Sequence, residues 1–215
     1  MNFTPNNSDI YNGISVRNYK QFKIADIEIR KLSNKYGNFD LLSNTPENVE
    51  KYTLLYSRIT ETLFVSIVFQ ALAVEAYVNF IAVNLYGEND FFGSFEMKGT
   101  EAKLRKIFSE KIRSDFLKDV DISNKVKELF DLRDEIVHFK SKQVDLGAME
   151  QNPDIYNPFE FIDRHYNGIE NIIDTYEALK TLITKLHGVD ITVEQSSALQ
   201  EALAKQISEM FGKLF

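Results

Sequence analysis

The sequence predicts an all-α protein, and three observations carry that prediction. Apolar residues return at intervals of three and four through most of the chain, most regularly from Phe159 to Leu186. The run between Pro46 and Gly87 contains neither glycine nor proline. Helix-starting residues stand ahead of the periodic segments, as Thr45-Pro46-Glu47, Pro158, and Thr192 with Gln195. At 215 residues with 44% apolar and 27% charged side chains, the chain suits one helical core over 15–215, preceded by an arm.

Each element follows from its residues. Positions 1–14 are rich in Asn, contain Pro5 and Gly13, show no sustained period, and read as a loose arm. From Ser15, a candidate N-cap, Tyr19, Phe22, Ile29, Leu32 and Tyr36 recur at helical spacing until Gly37 offers a C-cap. A short hairpin is the rival, because Phe22 and Ile24, then Ile27 and Ile29, also alternate.

Thr45 offers a capping hydroxyl, Pro46 suits the first helical position, and Glu47 faces the positive end of the helix dipole. The segment Leu63–Tyr86 carries one charge, Glu75, and is long enough to span a bilayer. Ser66, Gln70, Asn79 and Asn84 together with that acid favour the central helix of a bundle instead, and no membrane partner is expected. Thr100 precedes a short amphipathic helix bearing Leu104, Ile107, Phe108 and Ile112. A broken stretch over 114–121 leads to a helix over 122–142, with Leu129, Leu132, Ile136 and Phe139 as its core seam. Residues 143–157 read as a loop, 158–187 as one long helix ending at Gly188, and 192–214 as a last amphipathic helix.

Composition excludes several chemistries. Without cysteine there is no disulfide, thiolate zinc site, iron-sulfur cluster or cysteine nucleophile. The amino terminus has no export or organelle signal, so a cytoplasmic location is expected. A net charge of -7 argues against nonspecific nucleic-acid binding. Between Lys98 and Lys127, however, nine basic residues face five acidic ones, a modest basic strip whose plainer reading is a solvated helix face. There is no phosphate-cradling Gly-rich loop, no Gly-x-Ser-x-Gly and no His-Glu-x-x-His. The histidines at 138, 165 and 187 are too far apart in sequence for a local metal site, and no cofactor is expected.

What remains is the segment 130–140, with Arg133 and His138 about 140° apart on an ideal helix and Asp134 four residues before the histidine. Its plain alternative pairs Arg133 with Glu128 or Asp134 and leaves His138 partly exposed. His187 reads as a residue capping a helix end, His165 as one at the boundary of an apolar stripe, and Glu75 as a buried acid hydrogen-bonded to a neighbouring helix.

Arg133, Asp134 and His138 resemble the catalytic motif of the HEPN superfamily, an Arg, a following polar residue and a His spaced Arg-x4-6-His on a helix. Leu132 before the Arg, Ile136-Val137 within and Phe139-Lys140 after the His match its cadence. The segment 71–79, with Glu75 and Asn79, is similar to the helix with an internal acid that commonly precedes the motif. The resemblance covers roughly 50–145 and implies a HEPN-like helical bundle over about 45–145, with additional C-terminal helices packed on it. It further implies a metal-independent endoribonuclease of toxin-antitoxin or anti-phage defence type, with Arg133, Asp134 and His138 catalytic and Glu75 and Asn79 supporting. RNA would be the substrate, a second copy of the chain the partner, and an antitoxin protein a further candidate partner. The alternative is a non-catalytic helical module of the same family that binds a nucleotide or a protein.

Overall fold

The computed structural model of the chain describes residues 7–36, 45–112, 114–138 and 160–187, and among them every regular element is helical. Helix α1 (Ser8–Tyr36) and helix α2 (Pro46–Tyr86) run antiparallel, since Tyr11 meets Phe69, Ser15 meets Ser66 and Gln21 meets Arg58. Where they cross, the Ser15 hydroxyl donates to the Ser66 carbonyl at 2.8 Å and the Ser66 hydroxyl to the Ser15 carbonyl at 2.9 Å. Two small side chains thus bring the backbones together and satisfy each other's polar groups.

This corrects the amino-terminal expectation. From Ser8 onward the segment is helix, and Ser15 lies inside it rather than capping it. The hairpin alternative fails with it, because Phe22 and Ala25 are buried while Ile24 and Ile27 are exposed on one continuous helix. Local composition hid the helix because its docking is polar. Ser8 and Asn12 are buried through contacts with Tyr176 and Glu177, more than 160 residues away.

Helix α2 begins as expected with Pro46 in its first turn and Thr45 extended, although the Thr45 side chain makes no capping bond. It stops at Gly87, whose φ of 86° suits glycine and whose N–H closes on Val83. Leu63, Ile67, Ala73, Val74, Val78, Ile81 and Ala82 are fully buried, which makes α2 the central helix. It is also the one helix among the described residues long and apolar enough to cross a membrane, with 56% of its apolar window buried inside the protein.

A short helix that the pattern did not announce, α3 (Glu88–Ser94), turns Phe91 inward, and Phe95 follows it into the core. Helix α4 (Thr100–Ile107) continues into a wider turn over Phe108–Ile112, burying Leu104, Ile107 and Phe108. The broken stretch is present as a tight turn, Phe116–Lys118, after which Asp119 caps helix α5 (Val120–Val137) by accepting the Ile122 N–H. Ile122, Val126, Leu129 and Leu132 are its buried face and Ile136 is half-buried. The helix ends at Val137 rather than Lys142, with His138 as its cap at φ −102°, ψ 18°.

The long carboxy-terminal helix is two helices, α6 (Glu160–Ile172) and α7 (Thr175–His187). Asp174 and Thr175 are residue types that compete for backbone bonds. Thr175 donates its hydroxyl to the Ile172 carbonyl at 2.7 Å, and the Asp174 carbonyl restarts the helix by accepting the Ala178 N–H. Periodicity misses this break because Ile169, Ile172, Tyr176, Leu179 and Ile183 all reach the same core. The expected Gly37 cap, Phe139, the 143–157 loop, Pro158 and the 192–214 helix lie outside the described residues.

Candidate functional site

The three motif residues sit at the carboxy-terminal end of α5. Arg133 pairs with its neighbour Asp134 (Nη1 to Oδ1, 2.8 Å) and lies over Phe130, 5.2 Å from the ring centre. Its side chain keeps 27% of its exposure, so the guanidinium is pinned but accessible. His138 is exposed where the helix stops, and its N–H closes the last turn on the Asp134 carbonyl at 2.9 Å. The Asp134 carboxylate therefore orients Arg133, which leaves the His138 imidazole open among the described residues.

Beside them lies a cleft of about 430 Å³ between α2, the start of α4 and α5. Glu75, Lys98, Lys127, Phe130, Arg133 and Asp134 are among its walls, and His138 is not. Two of the sequence-predicted groups, the α5 acid-arginine pair and Glu75, are thus brought together from positions some sixty residues apart. The third, His138, stands outside the cleft.

Glu75 departs from expectation. It is only partly buried, opens into the cleft, and makes no hydrogen bond or ion pair with another described residue. A single acid on an apolar helix is tolerated there because the cleft lets water reach the carboxylate, whereas full burial without a partner would be costly. Asn79, one turn along α2, accepts a bond from Lys103 Nζ at 2.8 Å.

Lys103 is the residue that sequence reasoning missed. It is 3% exposed, with its ammonium 5.5 Å from the Phe91 ring centre. Desolvation lowers its pKa below the ordinary lysine value, and the nearby charges of Glu75 and Glu96 oppose that shift. A signal did exist: Lys103 directly precedes the buried Leu104 on an amphipathic helix, and the apolar stretch of α2 held an amide in need of a partner. The Lys103–Asn79 bond fastens α4 to α2.

Several residues of the basic strip make contacts within the chain. Lys103 is buried, Arg105 binds Glu101, Lys106 binds Glu110 and lies over Phe95, Lys111 lies over Tyr86, and Lys125 binds Asp174. Of its described residues only Lys103 is buried, while Lys98, Arg105, Lys111, Lys118 and Lys127 are exposed, so the strip is mostly the solvated face expected of it; Lys98 and Lys127, which make no ion pair with described residues, line the cleft.

The other two histidines divide. His165 is fully buried, not a boundary residue; its Nε2 is 3.1 Å from the Leu132 carbonyl and its ring packs on Phe64. It locks α6 to α5 one residue before Arg133. Its burial could not be read from the stripe because α6 is contacted by both α2 and α5. His187 is exposed at the last position of α7. Among the described residues no three His, Asp or Glu side chains gather as a metal site. Comparison with known proteins adds no relative: no family model, no curated protein and no solved structure matches the chain.

Proposed function

We propose that this protein is a metal-independent endoribonuclease of the HEPN kind that works as a homodimer in a toxin-antitoxin or anti-phage defence role. The observation that carries the reading is the end of α5. There an accessible arginine, oriented by its neighbouring carboxylate, and an open imidazole sit at the same helix terminus next to a cleft.

The chemistry required is in-line attack of a ribose 2'-hydroxyl on the adjoining phosphorus. One group must take the hydroxyl proton and another must protonate the leaving 5'-oxygen. An imidazole with a reference pKa of about 6.5 can do either near neutrality, and each such role is worth roughly 10²- to 10⁴-fold. One chain supplies a single His138 at the motif, so a second copy provides the other. Arg133 presents a fixed planar donor to the phosphate oxygens as negative charge grows on them, and Asp134 holds that donor in place. The products are a 2',3'-cyclic phosphate and a 5'-hydroxyl.

The test is cleavage of single-stranded RNA by the full chain in excess chelator. His138→Ala and Arg133→Ala are each expected to lower the rate by roughly 100-fold or more while the sedimenting species stays a dimer. Equal cleavage by wild type and both variants would mean a contaminating nuclease, and a monomer that cuts would overturn the shared site. The second reading, a non-catalytic module that binds a nucleotide or protein, draws on the Arg133–Asp134 pairing and on the absence of His138 from the cleft wall. It predicts ligand binding without cleavage.

A further inference from the structure

The cleft beside Arg133 has features that the motif chemistry does not use. Its volume of about 430 Å³ falls within the range of small-molecule sites and is too small for a duplex. Lys103, Arg105, Lys106, Lys111 and Lys125 of the basic strip are engaged by acids, an amide or rings of this chain, whereas Lys98 and Lys127 are exposed, make no ion pair with a described residue, and line this cleft. Glu75, the sole charge in the apolar stretch of α2, opens into the same space with no hydrogen-bonding partner among the described residues.

Open cations call for an anion, and an open carboxylate calls for N–H donors. A nucleotide has both. We propose that the cleft is a subsite for one nucleotide of the RNA strand, with Glu75 reading the base and Lys98 and Lys127 holding the adjoining phosphate.

The carboxylate specifies the base. Guanine carries two neighbouring donors, N1–H and the N2 amino group, that can meet both oxygens of one carboxylate. The corresponding edges of adenine and cytosine put an acceptor beside the amino group, and uracil flanks its single N–H with two carbonyls. Those acceptors would face carboxylate lone pairs. Of the other acids on the wall, Glu101 is held by Arg105 and Asp134 by Arg133, which leaves Asp131 at the exposed rim as the competing reader. The inference rests on RNA being the ligand of this site and adds a preference for guanosine.

The experiment is calorimetric titration of the full chain with GMP, AMP, CMP and UMP in chelator, with folding of each variant checked by circular dichroism. GMP is expected to bind at least about tenfold tighter than the other three, a difference of roughly 1.4 kcal/mol. Glu75→Gln should bring GMP down to their level. Replacing both Lys98 and Lys127 by Gln should weaken all four nucleotides alike and flatten the salt dependence. Equal binding of the four, a preference that survives Glu75→Gln, or one abolished only by Asp131→Asn would each overturn the proposal. A GMP-selective protein that cuts no RNA would sink the ribonuclease reading and leave this one standing. An active nuclease that does not bind GMP would do the reverse.

Discussion

Tyr176 shows how a single buried hydroxyl ties distant parts of this chain. Its O–H donates to Asp9 at 2.6 Å, and the Ser8 hydroxyl, 3.1 Å away, donates to it in turn. Burial raises the phenol's pKa above its ordinary value of about 10, the Asp9 carboxylate raises it further, and Ser8 opposes. Because the folded state prefers the protonated phenol, the associated stability is complete below pH ~10 and is lost as the pH climbs beyond it. Tyr176→Phe is therefore expected to cost about 1 kcal/mol at pH 7. Above pH ~10 its urea midpoint should fall less steeply than that of wild type. Parallel alkaline curves for the two proteins would show that this hydroxyl is not the titrating group. None of this is readable from residues 8 and 9, since their partner is a tyrosine on another helix.

Helices α5 and α6 meet at Gly168, and that contact supports the motif. A Cβ there would fall 2.7 Å from Leu132 Cδ1 and 3.3 Å from Glu128 Oε1, so α6 can approach α5 only because the position is glycine. Gly168→Ala is expected to destabilise by about 1 to 3 kcal/mol through overpacking. The ribonuclease activity proposed above should fall with it, because Leu132 adjoins Arg133 in the chain. Gly13 is the opposite case: it sits in the helical part of α1 with nothing within 4 Å of a Cβ. There alanine should stabilise by roughly 0.5 to 1 kcal/mol, since only backbone entropy is at stake. Chemical denaturation of both variants checks the pair, and shifts of the same sign would contradict the packing argument. The sequence pattern puts Gly13 in a loose arm and runs a helix through Gly168; only the neighbours show which of the two tolerates a side chain.

For the whole molecule, the first turns of α1 act as a clasp onto α7. Ser8, Asp9 and Asn12 reach Tyr176 and Glu177 through three hydrogen bonds, and Lys180 adds an ion pair to Asp9. Deleting residues 1–14 is expected to lower the melting temperature by roughly 6 to 12 °C, taking about 1 kcal/mol per bond and 2–4 °C per kcal/mol. A melting curve unchanged by the deletion would mean that the segment is the loose arm its composition suggests.

Local residue types alone settled the helical class, the start of α2 at Pro46 and its stop at Gly87, the buried seam of Leu129 and Leu132, and the placing of Arg133 and Asp134 together on α5. Those features depend on contacts within a few residues, where periodicity, prolines and glycines act directly. Tertiary structure decided the rest. It docked a polar amino terminus through side chains more than 160 residues away, split the last periodic run at Asp174 without disturbing its apolar face, and buried His165 and Lys103. It also opened Glu75 into a cleft with Arg133. Burial and polar pairing belong to two surfaces at once, and a linear pattern describes only one of them.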